Sequence, residues 1–265
     1  MTRIACAQID PTFAALDANF ELSAGAIADA VAQGAEVVVL PELTTSGYMF
    51  ADADEARSVA LRPTDPAFEA WRAAAGDAIV IGGFCELGDD GLLYNSALAL
   101  DGDGPIATYR KTHLWDREKL IFTRGAELPS ILKTRYGAIA VMICYDLEFG
   151  EVTRRVAIDG VELIVAPVNW PLFPRPEGER PGEVITAMST ARLNRVVVAV
   201  CDRAGVERGQ PWTEGSVIVD PDGWVVAEAG AGPGLAIADV DLTATHDKTL
   251  TEYVDLLSDR RVDLY

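Results

Sequence analysis

A layered α/β fold is predicted for this chain of 265 residues, on three observations. Short apolar runs suited to buried strands, such as Glu36-Val37-Val38-Val39-Leu40-Pro41 and Ala138-Ile139-Ala140-Val141-Met142-Ile143, alternate with longer stretches of helical periodicity. Later in the chain, extended runs flank the turn Pro221-Asp222-Gly223, which signals an antiparallel hairpin. Hydrophobic residues make up 49% of the chain, enough for a substantial core. Strands first alternating with helices and then pairing as hairpins imply stacked layers of both.

The elements follow in order. Residues 3–9 read as a strand, and the alanine-rich stretch 14–33 as a helix stopped by Gly34. Residues 36–40 form a buried strand that ends at Glu42, and Ser46-Gly47-Tyr48 opens a loop. Helical patches cover 52–61 and 66–75. Strands are predicted at 78–87, 92–100 and 106–110, separated by Asp89-Asp90-Gly91 and Asp101-Gly102-Asp103-Gly104. Residues 111–129 are irregular, and a loop of this length in a compact domain is usually functional. A strand then leads to Cys144 and a helix covers 151–158. After a strand at 161–167, the proline-rich run Asn169-Trp170-Pro171-Leu172-Phe173-Pro174-Arg175-Pro176 reads as a rigid rim loop. Helix 183–193, strand 196–201, the hairpin 216–219/224–228 and a last strand at 235–240 complete the series. One domain is expected over 1–265, with a tail from about 249 to 265 that lacks a core pattern of its own and packs on a neighbour or partner subunit.

The formal charge is −19, from 22 basic and 41 acidic side chains. No basic stripe is present, which argues against nucleic acid. No apolar stretch is long enough to span a bilayer, and no membrane partner is expected. The N-terminal residues run straight into a strand without a leader pattern, so a reducing cytoplasm is the expected compartment. Cys6, Cys85 and Cys201 lie within apolar runs and read as buried free thiols; no CxxC pair suggests a metal, and no metal or cofactor is expected.

Cys144 differs from the other three. It sits between a buried strand and a helix, at a sharp turn that would hold its side chain out from the sheet. At a helix N-terminus the dipole and free amides would favour the thiolate. A thiol nucleophile needs a base, and the chain has only two histidines, His113 and His246. Glu42 at one strand end and Lys111 at another are the better candidates, since ligands of open α/β sheets bind at the carboxyl ends of strands.

Three ordered motifs, Pro41-Glu42-Leu43, Tyr109-Arg110-Lys111-Thr112-His113-Leu114 and Ile143-Cys144-Tyr145-Asp146-Leu147-Glu148-Phe149, give the chain a resemblance to the nitrilase superfamily, the carbon-nitrogen hydrolases. Supporting stretches are Ile4-Ala5-Cys6-Ala7-Gln8, Val165-Ala166-Pro167-Val168-Asn169, Ala191-Arg192-Leu193-Asn194-Arg195 and Gly215-Ser216, so the resemblance spans nearly the whole length. It implies a four-layer α-β-β-α sandwich that joins a second copy as a homodimer or larger homo-oligomer. Two positions depart from the usual pattern: Gly150 stands where many members have proline, and Leu193 where many have glutamate.

In such an enzyme Cys144 would be the nucleophile, Glu42 the general base, and Lys111 the stabiliser of the oxyanion together with the backbone amide of Tyr145. The resemblance adds Glu118, followed by Phe122 and Gly125, as a fourth member that orients Lys111; Glu127 is the fallback. Tyr48, Tyr145, Asn169 and Trp170 are candidate substrate contacts, Asn169 for polar groups and Trp170 as an apolar wall. His113 reads as a structural hydrogen-bonder, with a Cys–His pair as the alternative. Cys144-Tyr145-Asp146 resembles the amidase and carbamoyl-hydrolase branches, whereas nitrile hydrolases tend to carry Cys-Trp-Glu. The expected reaction is hydrolysis of a small linear amide, of which an ω-amino amide would suit the acidic chain. An N-carbamoyl amine or amino acid hydrolase is the runner-up, then a nitrilase, with a catalytically silent scaffold as the non-enzyme reading.

Overall fold

The computed structural model describes residues 1–264, and the expected tail therefore loses only Tyr265 from description. In chain order the strands are β1 (Thr2–Gln8), β2 (Val37–Val39), β3 (Ile79–Leu87), β4 (Leu93–Asp101), β5 (Gly104–Arg110), β6 (Ile131–Thr134), β7 (Gly137–Val141), β8 (Leu163–Pro167), β9 (Val197–Cys201), β10 (Val206–Glu207), β11 (Gln210–Pro211), β12 (Val217–Val219), β13 (Val225–Glu228), β14 (Gly234–Val240), β15 (Thr249–Thr251) and β16 (Val254–Asp255). The α-helices are α1 (Leu16–Ala32), α2 (Ala53–Ser58), α3 (Glu69–Ala75), α4 (Gly150–Ile158) and α5 (Gly182–Asn194).

Two six-stranded sheets carry the fold, ordered β14-β1-β2-β3-β4-β5 and β13-β12-β9-β8-β7-β6. Each has three parallel strands at its centre, β1-β2-β3 in one and β7-β8-β9 in the other, with antiparallel strands outside them. The alternation of side chains along each strand sets the layers. Ile4 and Cys6 of β1, Val37 and Val39 of β2, and Ile79 and Ile81 of β3 share one core with Ile139, Val141, Leu163 and Val165, which lie on one face of the second sheet. The intervening Ala5, Ala7, Val38 and Val80 face α1 and α3 instead, packing with Phe20, Ile27 and Trp71. On the far side Val152 and Val156 of α4 and Val184, Ala187 and Ala191 of α5 cover the second sheet. Helix, sheet, sheet and helix are thus stacked as the predicted α-β-β-α sandwich. Each fully buried Val, Ile or Phe in these layers stabilises it by roughly 1.5–3 kcal/mol.

Local chemistry accounts for the element ends. Asp52 caps α2 by accepting from Asp54 N and Glu55 N, each at 3.0 Å. The Trp71 indole of α3 donates to Ser23 Oγ of α1 at 2.6 Å, which leaves this large buried side chain with no orphan donor. Three features differ from the sequence expectation. Strand β6 falls just after the stretch read as irregular. Hairpin β10–β11 was not expected, and 235–240 is not the last strand, because β15 and β16 form a small hairpin in the tail. The tail is held to the body at Lys248, whose Nζ donates to the carbonyls of Asn194 (3.1 Å) and Arg195 (2.9 Å) at the end of α5. At Gly150, the first residue of α4, a Cβ would meet nothing within 4 Å, so space does not require glycine there.

Candidate active site

The C-terminal ends of strands from both sheets deliver the site. Glu42 follows β2, Lys111 follows β5, Cys144 follows β7 and Asn169 follows β8. Glu42, Lys111 and Glu118 are all buried, the lysine completely. Lys111 Nζ lies 2.6 Å from Glu42 Oε1 and 2.8 Å from Glu118 Oε1, so one ammonium bridges two carboxylates. Glu118 is placed by a single turn of 3₁₀ helix, Asp116–Leu120, in which Trp115 N donates to Glu118 Oε2 at 3.0 Å. The Tyr48 hydroxyl donates to Glu118 Oε1 at 2.7 Å. Glu42 Oε2 accepts the backbone N–H of Asn169 at 3.0 Å, and the Asn169 side chain returns a bond to the Glu42 carbonyl at 2.8 Å.

Cys144 is buried and adopts φ 47°, in the left-handed region where a non-glycine residue is strained by about 1–3 kcal/mol. The turn falls at the strand end as expected, but its electrostatics differ from expectation. Cys144 opens a one-turn 3₁₀ segment, Cys144–Glu148, and α4 begins only at Gly150, so the thiol is not at an α-helix N-terminus. Burial, followed by the charge of Glu42, raises its pKa well above the ordinary thiol value, against the pull of Lys111 and a hydrogen bond from the Asn169 backbone. The thiol is therefore neutral at rest, and a base must take its proton. Glu42 suits that role: burial raises its carboxyl to about 7, with Lys111 opposing and Glu118 adding to the rise. For Lys111, burial works against the charge, but Glu118 and Glu42 together outweigh it and hold the amine protonated.

Of the expected substrate contacts, Tyr48, Tyr145 and Asn169 are brought to this site, each with a structural duty as well. Tyr145 packs edge-on against Trp115 (4.9 Å between ring centres) and Phe149 (5.0 Å). Trp170 is buried; its backbone N–H donates to Asp202 Oδ1 at 3.0 Å and its ring lies close over Gly215. His113 is engaged by Asp146 and Phe149, with Nδ1 2.8 Å from Asp146 Oδ1 and its ring stacked on Phe149. Asp146 also accepts from Tyr109, Thr112 and the backbone N–H of Ile143 and His113. One carboxylate thus ties the lysine segment to the cysteine turn.

Sequence reasoning missed Asn95 of β4. Its Nδ2 donates to Glu42 Oε1 at 2.7 Å and reaches Glu118 Oε1 at 3.4 Å, so it serves both carboxylates that Lys111 serves. The polar pair Asn95-Ser96 inside an otherwise apolar run was the available signal. No group of three or more His, Cys, Asp or Glu among the described residues has the arrangement of a metal site. A separate cleft of about 460 Å³, lined by Glu86, Thr108, Tyr109, Arg110, Glu127 and Ser130, opens between the β5 and β6 edges; it takes in the fallback Glu127 but none of Glu42, Lys111, Glu118 and Cys144.

The chain is similar to known proteins over its whole length. The chain is 32% identical over 272 residues to a nitrilase from Pyrococcus abyssi, covering 100% of this chain and 99% of that one. It is 29% identical over 265 residues to the 2-oxoglutaramate amidase of Bacillus subtilis, covering 99% and 98%. Among solved structures, it matches a glutamate-to-glutamine variant of the amidase from Nesterenkonia sp. AN1 in which acrylamide has added to the active-site cysteine. That match has a TM-score of 0.80 and 27% identity, over 100% of this chain and 98% of the other. The model of the carbon-nitrogen hydrolases matches residues 3–247, and the chain belongs to that family.

Proposed function

We propose that this protein hydrolyses a small linear amide to a carboxylic acid and ammonia through a thioester on Cys144. The observation that carries the reading is the buried Glu42–Lys111–Glu118 cluster gathered at the strand ends with the strained turn of Cys144. Glu42 takes the thiol proton as sulfur bonds to the amide carbon. The oxyanion that forms is met by the Lys111 ammonium and the backbone N–H of Tyr145. Collapse breaks the carbon–nitrogen bond, and the Glu42 carboxyl gives its proton to the departing nitrogen. Water then attacks the thioester, Glu42 takes its proton, and the acid leaves with the thiol restored. A carboxyl poised near neutral pH can both accept and return a proton at each step. An ω-amino amide is the substrate class proposed within this reading, and the amidase names among the relatives support amide over nitrile. One relative named a nitrilase makes nitrile hydrolysis the second reading. A panel of linear amides, ω-amino amides, N-carbamoyl amines and nitriles, assayed separately for ammonia and carbon dioxide, decides. Ammonia from amides alone supports the proposal; carbon dioxide release or turnover of nitriles only would replace it.

A further inference from the structure

A buried ion pair behind the site plays no part in the reaction just described. Arg203, two residues past β9, is 1% exposed, and Glu207 of hairpin β10–β11 is 4% exposed. The Arg203 guanidinium makes four hydrogen bonds: Nη1 bonds Glu207 Oε2, Nη2 reaches Asp10 Oδ1 (3.0 Å) and Pro11 O (2.8 Å), and Nε donates to Ala204 O (3.3 Å). The other oxygen of Glu207 accepts the backbone N–H of Tyr48 at 2.8 Å and of Met49 at 2.5 Å. Arg203 also lies over the Trp212 ring, 5.1 Å from its centre, and Trp212 meets the Tyr48 ring edge-on at 5.5 Å. Tyr48 is therefore gripped twice, by its backbone through Glu207 and by its ring through Trp212, and both grips lead back to Arg203. The hydroxyl so placed is the one that donates to Glu118 Oε1 at 2.7 Å.

We propose that Arg203 and Glu207 are positioning residues that set the Tyr48 hydroxyl against Glu118, and through it the orientation of Lys111. Burying two opposite charges is costly and often adds nothing to stability over an apolar pair, so such a pair is better explained by what it fixes in place. The space is shaped for it: Gly47 has φ +77°, and a Cβ there would lie 2.6 Å from Glu207 Oε2. The chain before Tyr48 is thus drawn close enough for Glu207 to reach both amides. Hairpin β10–β11, remote in sequence from every proposed catalytic group, holds the tyrosine loop in register.

This proposal rests on the amidase reading, and its test separates the two. Wild type, Glu207→Gln, Tyr48→Phe and the double variant are compared for kcat/KM on the best amide of the panel. The same four proteins are compared for the rate of Cys144 alkylation by iodoacetamide. If Glu207 acts through the Tyr48 hydroxyl, each single change lowers kcat/KM about tenfold, mostly in kcat, and the double variant falls no further than the worse single one. Losses that multiply to about a hundredfold, or a Glu207→Gln protein within twofold of wild type, overturn it. A wild type that turns over no amide removes the amidase reading alone, and the four alkylation rates then decide the positioning role by the same rule. Should Glu207→Gln fail to fold by its melting profile, Glu207→Asp, which keeps the charge but draws the oxygens back from Tyr48 N, takes its place in the comparison.

Discussion

A thiol that rests protonated and a carboxyl near neutrality make the reaction depend on one proton held between Cys144 and Glu42. Cys144→Ala removes the proposed nucleophile, so turnover should fall by roughly 10³-fold or more in an ammonia assay while the melting temperature holds. Survival of substantial turnover would sink the nucleophile assignment. Glu42 acts as a base only when ionised, so kcat/KM should rise with pH through about 7 and then level. The Asn95 hydrogen bond favours the ionised form of Glu42. Asn95→Ala should therefore move this limb to higher pH and lower kcat/KM at pH 7 by about tenfold, as expected for a lost hydrogen bond to a charged group. A limb that stays in place in the variant would show that Asn95 merely fills space.

At the scale of elements, the approach of β3 to the end of β2 is tight. A Cβ on Gly83 would lie 2.3 Å from Leu43 N and 2.6 Å from Glu42 Cα. Gly83→Ala must push the glutamate turn off its strand, at a cost of about 1–3 kcal/mol. Melting should drop by roughly 3–10 °C and kcat/KM by at least about tenfold; a variant with wild-type kinetics would mean that Glu42 does not need its present seat. The strand ends were legible in sequence because apolar runs broke off abruptly at Glu42 and Cys144, and an extended stretch ended just before Lys111. Their neighbours were not. Asn95 lies in the middle of an apolar run whose pattern only says strand, and its partners are set by which strand pairs beside it. Strand β6, with intermediate burial and a lysine, lacks the apolar signature of a central strand because it is an edge. The turn after Ile143 looked like a helix start because the helical pattern begins nearby; that a 3₁₀ turn intervenes depends on Asp146 turning back to Ile143 N. The motif around Lys111 and the motif after Cys144 are each explained by that same aspartate, which joins them across the gap between sheets.

For the whole molecule, burial of Glu42 and of Asp202 has a shared consequence for stability. Burial raises both carboxyls to about 7, well above the ordinary carboxylate range. Between roughly pH 4 and 7 the folded chain holds protons that the unfolded chain has already lost, so stability falls as pH rises through that window. Melting temperature should be higher at pH 5.5 than at pH 8. Glu42→Gln deletes one of the two titrating groups, so the variant should gain on wild type as pH rises, by calorimetry; a constant difference between the two proteins would contradict it. The proposed reactants also come from opposite slabs of the sandwich: sulfur rides on one sheet, while carboxylate and ammonium ride on the other, with Glu42 and Asn169 laced across by two hydrogen bonds. Catalytic rate is accordingly a gauge of how the slabs are seated. A slip of one ångström along that seam, too small to register as unfolding, would silence the enzyme long before it melts.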